Sequence, residues 1–425
     1  MSKYPNVLVI SHNVFSESGN MGRTMADMLS ALPQDHLAQL YFHSEIPTMK
    51  LCTRYFRVTD KNVLKSVFTR KSQYRIYQDA DIREDVASSR TDSGMTAKVY
   101  QYSRKRTPLI YGARNLMWRL GCWNSNALQQ WILDFKPDVI FFASGDYAFA
   151  YKVVYEIAKK YDLPVVMWCC DDHYIGKKET TSIFYHRVQK NLIAWAKKVA
   201  DISNGIIAIS DKMQTDYRQL FQKEVEVVRI SAEENPHKRE VSERSGIIYA
   251  GNLGVNRMNP LIALGRALKR AQIPGFEYID VYSNERDPNR LSQLTLDNGI
   301  LFHGAVSQQE LKGVLGSAKY LLHVEAFDEV SKNRTRYSLS TKIGESLHSG
   351  ACILAYGPED ISSMEYLKDH NAAVVLTQPE DIEKVLLAHE ENESVYIDFI
   401  DRAKDLANTC HNKKLNDEII LKVLR

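Results

Sequence analysis

The chain has 425 residues with 55 Lys and Arg against 52 Asp and Glu, a formal net charge of +3 that is too small to suggest a nucleic-acid binder. Its apolar and charged fractions, 44% and 25%, are ordinary for a soluble globular protein, and no run of about 20 apolar residues predicts a transmembrane helix. The length is too great for one core and predicts two domains.

The N-terminus runs straight into Val7–Ser11, which reads as a buried strand rather than the long apolar stretch of a signal peptide. The same pattern predicts further strands at Val139–Ala143, Val165–Trp168 and Ile206–Ile209. Helices are expected at Gly22–Ala31, Asn126–Phe135, Phe149–Lys160 and Ser182–Ala200. Between Lys61 and Arg75, five cations are mixed with Val63, Leu64, Val67 and Phe68. That reads as a solvated helix, with contact to an anionic lipid surface as the alternative. The polar stretch Gln78–Arg106 lacks periodicity and is expected to be a mobile loop. Six scattered cysteines without a Cys-x-x-Cys motif fit reduced thiols in the cytosol.

Ala232–Glu243, charged and containing Pro236, is the best linker candidate, and the same alternation starts again after it. Strands are predicted at Gly246–Ala250, Tyr278–Tyr282, Ile300–His303, Tyr320–Val324, Cys352–Ala355 and Ala373–Leu376. Helices are predicted near Pro260–Arg270, Gln308–Gly316, Ser340–Ser349 and Pro379–Glu390, and Val395–Leu424 reads as helical. Short apolar runs separated by amphipathic helices point to an α/β fold of two Rossmann-like, doubly wound parallel-sheet domains facing a cleft. The expected division is a first domain, 1–231, and a second, 232–394, with 395–425 packing back on the first.

Residues 335–357 carry the strongest chemical signal. Ser338, Ser340, Thr341 and Lys342 stand where a loop turns into a helix, offering unpaired N–H groups and the positive end of a dipole to a phosphate. Lys342 adds a full charge, and Glu345, one turn on, supplies a carboxylate for hydroxyls. A capped surface helix with a solvated Lys–Glu pair is the competing reading. After the strand ending at Ala250, Asn252 and Gly254 form a turn in which the glycine lets a ligand come close. Arg257 follows, with a guanidinium suited to forked bonds with a diphosphate. Gly19 and Gly22, after the first strand, form a weak Gly-x-x-Gly that fits a loop lining the cleft, with a flexible turn as the competing reading. Asp171, Asp172 and His173 follow the strand ending at Trp168 and read as site groups at a strand's carboxyl end or as a solvated loop; Ser144-Gly145-Asp146 is a weaker candidate of the same kind. His12, His303 and His323 read as ordinary local hydrogen-bonding partners.

Taken in order, Ile206–Met213, Ile248–Gly254 with Arg257, Phe302–Ala305 and Ser340–Gly350 resemble the strand-turn landmarks of family 4 retaining glycosyltransferases with the glycosyltransferase-B fold. The resemblance covers about Ile206 to Leu376. It implies a metal-independent hexosyl- or glycosyltransferase whose nucleotide-sugar donor binds the C-terminal domain and whose glycan or lipid-linked acceptor binds the N-terminal one. It also implies a place in bacterial-type surface polysaccharide synthesis, in the cytoplasm or peripherally at the inner face of the membrane. No cofactor is implied beyond the donor substrate, and no nucleic-acid partner.

On this reading the candidate catalytic group is Asp172, Glu345, Lys342 and Arg257, with Asp172 toward the reacting sugar, Glu345 on the ribose and the two cations on the diphosphate. The substrate-binding set is Gly19, Gly22, Asn252, Gly254, Glu325, Ser338, Ser340 and Thr341. Many relatives carry a second glutamate eight residues before the one matching Glu345; here that position is Tyr337. Glu325, at a strand end, is the candidate replacement. A nucleotide-sugar epimerase of the same architecture and a non-catalytic nucleotide-sugar-binding subunit remain alternative readings.

Overall fold

The computed structural model describes residues 3–16, 20–78, 81–82, 107–176 and 182–425. Gly19 and most of the expected 78–106 loop lie outside the described residues. The chain forms two compact units. The first comprises Met1–Ile209, Met213–Val228 and Asp417–Arg425; the second comprises Ser210–Lys212 and Arg229–Asn416.

The first unit is built on an eight-stranded sheet in the order β4-β3-β2-β1-β5-β6-β7-β8. Its strands are β1 Val7–Ser11, β2 Leu37–Tyr41, β3 Arg54–Arg57, β4 Arg75–Gln78, β5 Val139–Ala143, β6 Val165–Trp168, β7 Ser203–Ala208 and β8 Val225–Val227. All neighbours are parallel except β3 and β4. Every residue of β1, β2, β5 and β6 is buried, as continuous apolar runs require when helices cover both faces. Helix Asn126–Phe135 shows how those covers form. Ser125 caps its first turn, Leu128, Trp131, Ile132 and Phe135 make its buried stripe, and Lys136 ends it in the left-handed region.

The second unit holds a six-stranded, all-parallel sheet ordered β11-β10-β9-β12-β13-β14. Its strands are β9 Ser245–Ala250, β10 Ile279–Tyr282, β11 Ile300–Gly304, β12 Ala318–Val324, β13 Cys352–Tyr356 and β14 Val374–Leu376. In each sheet the chain first builds outward on one side and then crosses to the other. The reversals lie between β1 and β5 in the first unit and between β9 and β12 in the second. Such points open a crevice at the carboxyl ends of the strands, where doubly wound sheets take their ligands.

Three local expectations are corrected. Strands β2, β3 and β4 were not read from the sequence. Polar residues interrupt them, but those residues are satisfied inside the fold: buried Gln39 donates to Ser11 Oγ and the Asn13 carbonyl and accepts from Phe15 N–H, and Arg57 donates to the Ser44 carbonyl. The passage Ala232–Glu243 is no free linker. Asn235 is buried with its amide on the Lys312 carbonyl, and the chain changes unit earlier, between Val228 and Arg229. The C-terminal helical stretch is two helices, Glu393–Cys410 and Lys413–Val423.

Candidate functional site

The second unit's switch point gathers the charged candidates. After β9, Tyr249 donates its hydroxyl to the Asn252 carbonyl at 2.8 Å, and Gly254 N–H donates to Asn252 Oδ1. A Cβ at position 254 would stand 2.7 Å from that oxygen. The glycine therefore makes room for the Asn252 side chain of an Asx turn, a different reason from the close ligand approach expected. Val255 and Asn256 follow at φ +54° and +55°. A β-branched residue in the left-handed region costs about 1–2 kcal/mol, strain of the kind that marks functional loops. Asn256 ties the loop to Asp328 at 2.8 Å, and the chain enters helix Met258–Ala271 at Arg257.

Arg257 meets Glu325, the first residue after β12, through Nη2 at 2.9 Å and Nε at 3.2 Å. Glu325 is only 2% exposed. Burial would lower the Arg257 pKa, but attraction to Glu325 and its hydrogen bonds outweigh that and raise it. The expected sugar contact at Glu325 is thus corrected: both its oxygens face Arg257, and it positions the guanidinium from beneath. One edge of the guanidinium is taken, leaving the Nη1 side for an anion. His323 Nε2 lies 3.6 Å from Glu325, beyond hydrogen-bond reach, and burial holds its pKa below the usual value.

Lys342 comes from the other side of the crevice. Helix Thr341–Leu347 is shorter than the expected Ser340–Ser349, and Ser340, its N-cap, accepts from the Lys342 N–H. With two turns and that donor already used, the helix end offers an anion less than expected. The side chain of Lys342 carries the attraction instead. Its Nζ donates to the Ala250 carbonyl at 2.7 Å, at the very end of β9. Lys342 is exposed as a residue, yet desolvation by the surrounding protein lowers its pKa; Glu345 opposes that shift and nearby Arg257 adds to it. Two cations from separate elements therefore share one rim. The Glu345 carboxylate is exposed and accepts no hydrogen bond among the described residues.

The helix is seated through Gly344. A Cβ there would lie 3.2 Å from both Ala232 Cβ and His411 Nδ1 and 3.4 Å from the Ile230 carbonyl. His411 is locked below it, with Nδ1 on the Ile230 carbonyl at 2.8 Å and Nε2 on the Tyr366 hydroxyl at 3.0 Å. Burial drives its pKa down to about 4. Before the helix, Ser338 N–H donates to the Thr335 carbonyl at 2.8 Å, Thr341 is exposed, and Tyr337 is buried.

The first unit's candidates behave differently. Gly22 serves packing: a Cβ there would meet the Val14 carbonyl at 2.3 Å. Asp172 accepts from Tyr174 and Ile175 N–H at 3.0 Å, from Gly176 N–H, and from the Tyr217 hydroxyl at 3.1 Å. With four donors on its two oxygens, Asp172 organises its own loop. Asp171 beside it is exposed. Around the β1/β5 switch point, His12 and Asp146, both singled out in the sequence, join Tyr111, Arg114 and Tyr147, which were not. His12 lies 4.7 Å from the Tyr147 ring, Arg114 stacks 3.9 Å above the same ring, and Tyr111 donates to Asp146. The signal was available, since His12 directly follows β1 and Ser144-Gly145-Asp146-Tyr147 directly follows β5.

Among the described residues, no three His, Cys, Asp or Glu side chains gather to hold a metal ion. No family model matches the chain, and no curated protein does. Solved structures do. HepE of Anabaena, in complex with UDP, superposes with a TM-score of 0.62 over 99% of each chain at 12% identity. Sucrose-phosphate synthase of Thermosynechococcus elongatus gives 0.60 over 98% of this chain and 97% of its own at 10% identity. WaaG, a glycosyltransferase involved in lipopolysaccharide biosynthesis, gives 0.53 over 98% and 99% at 13% identity. The chain has the glycosyltransferase-B fold. At these identities the likeness is one of fold, and within that fold Arg257, Glu325 and Lys342 occupy the switch point of the six-stranded sheet.

Proposed function

We propose that the chain is a retaining, metal-independent glycosyltransferase. It moves a sugar from a nucleotide-diphospho-sugar to a glycan or lipid-linked acceptor in polysaccharide assembly on the cytoplasmic side of the membrane. One observation carries this reading: Arg257 and Lys342 reach the same switch-point crevice from separate elements, each with a carboxylate partner, Glu325 below and Glu345 one turn away. The Nη1 edge of Arg257 and the Lys342 ammonium hold the diphosphate, and their charges offset the negative charge that grows on it as the glycosidic bond breaks. Glu345 accepts from the ribose hydroxyls. Asn252, Ser338, Ser340 and Thr341 line the loops on either side. The fold's likeness to HepE, whose structures hold UDP and UDP-glucose, supports a uridine donor as the first to try.

In the transfer, the bond from the anomeric carbon to the phosphate oxygen breaks and the acceptor oxygen bonds to the same face of the carbon. The acceptor's proton passes to the departing phosphate oxygen, so no separate base is required. This agrees with Asp172 being occupied by its own loop.

The test is incubation of the protein with a panel of nucleotide sugars and glycan acceptors, followed by nuclear magnetic resonance of the products. A transferred sugar with its anomeric configuration retained supports the proposal. An inverted product overturns the retaining mechanism, a 2-epimerised sugar points to an epimerase, and binding without turnover points to a non-catalytic subunit.

A further inference from the structure

In the first unit, the large apolar side chains that face solvent are concentrated. Among the described residues, all but Leu133 lie on helix Asp60–Thr69 and the segment leading through β4, on helix Pro108–Leu120, or at the start of helix Ile183–Asp201. The first helix packs against the second, and the second against the third. Phe68 and Ile183 are each 79% exposed and Leu109 is 65% exposed.

Helix Asp60–Thr69 is turned the wrong way for water. Its buried positions are Val63 and Ser66, while Lys61, Leu64, Lys65 and Phe68, spaced i, i+3, i+4, i+7, form one exposed stripe. A solvent-facing stripe is ordinarily polar throughout. The charge is equally one-sided. From 61 to 78 the chain has no Asp or Glu but carries Lys61, Lys65, Arg70, Lys71 and Arg75, in a protein whose net charge is only +3. Of the two carboxylates on these helices, Asp60 is engaged by Arg114 Nε at 2.9 Å and Trp118 Nε1 at 2.7 Å, and Asp201 ends the third helix.

We infer that this face docks on the surface of a bilayer rich in anionic lipid. Apolar side chains interleaved with cations suit the headgroup boundary, where rings enter the acyl region and ammonium groups stay with phosphates. Nucleic acid would use the cations and leave Phe68, Leu109 and Ile183 in water. A second copy would bring like charges together. No helix among the described residues is long and apolar enough to cross a membrane, so the contact proposed is interfacial. The inference stands apart from the transferase reading, since no donor-site residue belongs to this face.

The experiment is co-sedimentation of the full chain with vesicles of phosphatidylcholine alone or with an equal part of phosphatidylglycerol. Binding to the mixed vesicles only, weakened by salt, is the expected result. Phe68→Glu should lower partition by about tenfold or more, and Lys65→Gln by roughly fivefold, the weight of one cation at an anionic surface. Leu133→Glu, on a helix outside the patch, should partition like wild type. Both Phe68 and Lys65 are exposed, so melting temperatures should stay unchanged and nucleotide-sugar binding should be unaffected. No binding to mixed vesicles, equal partition of Phe68→Glu and wild type, or self-association or nucleic-acid binding in place of vesicle binding would each overturn the proposal.

Discussion

The two switch points of this chain share a backbone design and differ in chemistry. Between β9 and β12 the strand ends carry full charges: Arg257 on buried Glu325, and Lys342 on the Ala250 carbonyl, with exposed Glu345 nearby. Between β1 and β5 rings dominate: His12 and Arg114 lie against Tyr147, Arg114 is paired with Asp60, and Tyr111 donates to Asp146. On the proposed transferase reading, the first arrangement would meet the donor's diphosphate and the second a polyhydroxyl acceptor. The same topology thus carries two side-chain chemistries, set by residues past the strand ends and on the neighbouring helices.

The largest way to break this comparison is at Arg257. Arg257→Met leaves Glu325 buried without its partner, and stability should fall by about 3–5 kcal/mol with transfer lost. Adding Glu325→Leu should restore most of the stability but none of the transfer, as urea unfolding and activity assays can establish. Recovery of transfer in the double variant would mean that Arg257 serves only the fold.

The seat of the Lys342 helix makes the next prediction. The folded-state pKa of His411 is about 4 against an ordinary 6.5, so the unfolded chain takes up the proton first. Its contribution is complete above pH 6.5 and is lost as the pH falls to about 4, on the order of 3 kcal/mol in all. Unfolding curves across that window should show the loss, and His411→Gln should remove its share, leaving what His323, His348 and His389, whose pKa values burial also lowers, contribute.

Lys342→Ala should weaken donor binding by about 1.5–3 kcal/mol while leaving the melting temperature almost unchanged, because the ammonium's only protein acceptor among the described residues is a strand-end carbonyl. Asp172→Ala should do the opposite, lowering stability by about 1–3 kcal/mol with donor affinity intact, because four donors lose their acceptor. The smallest effect is expected from Glu345→Gln. A 2′-deoxy donor should be penalised in wild type and much less in the variant; equal penalties would remove Glu345 from the ribose.

Much of this was legible in the sequence, for identifiable reasons. Val7–Ser11 and Cys352–Tyr356 are unbroken apolar runs, and the covered parallel sheets need such runs. Arg257 and Lys342 stood out because each follows a turn signal at a strand or helix end. What could not be read was pairing at a distance. Glu325 looked like a ligand contact because the sequence does not reveal a partner 68 residues away. Asp172 stood out as a strand-end carboxylate, while its donors, three backbone N–H groups and the Tyr217 hydroxyl, leave no mark in composition. Gln39 hid β2 for the same reason: its hydrogen bonds form only once the sheet exists.

Isothermal titration of UDP-glucose and other nucleotide sugars into wild type, Lys342→Ala and the Arg257→Met/Glu325→Leu pair bears most directly on the central claim. Wild type should bind at least one donor, Lys342→Ala should bind it roughly 10- to 100-fold more weakly, and the folded double variant should be weakened by at least as much. Equal affinity in all three proteins, or no donor bound by wild type, would contradict that claim.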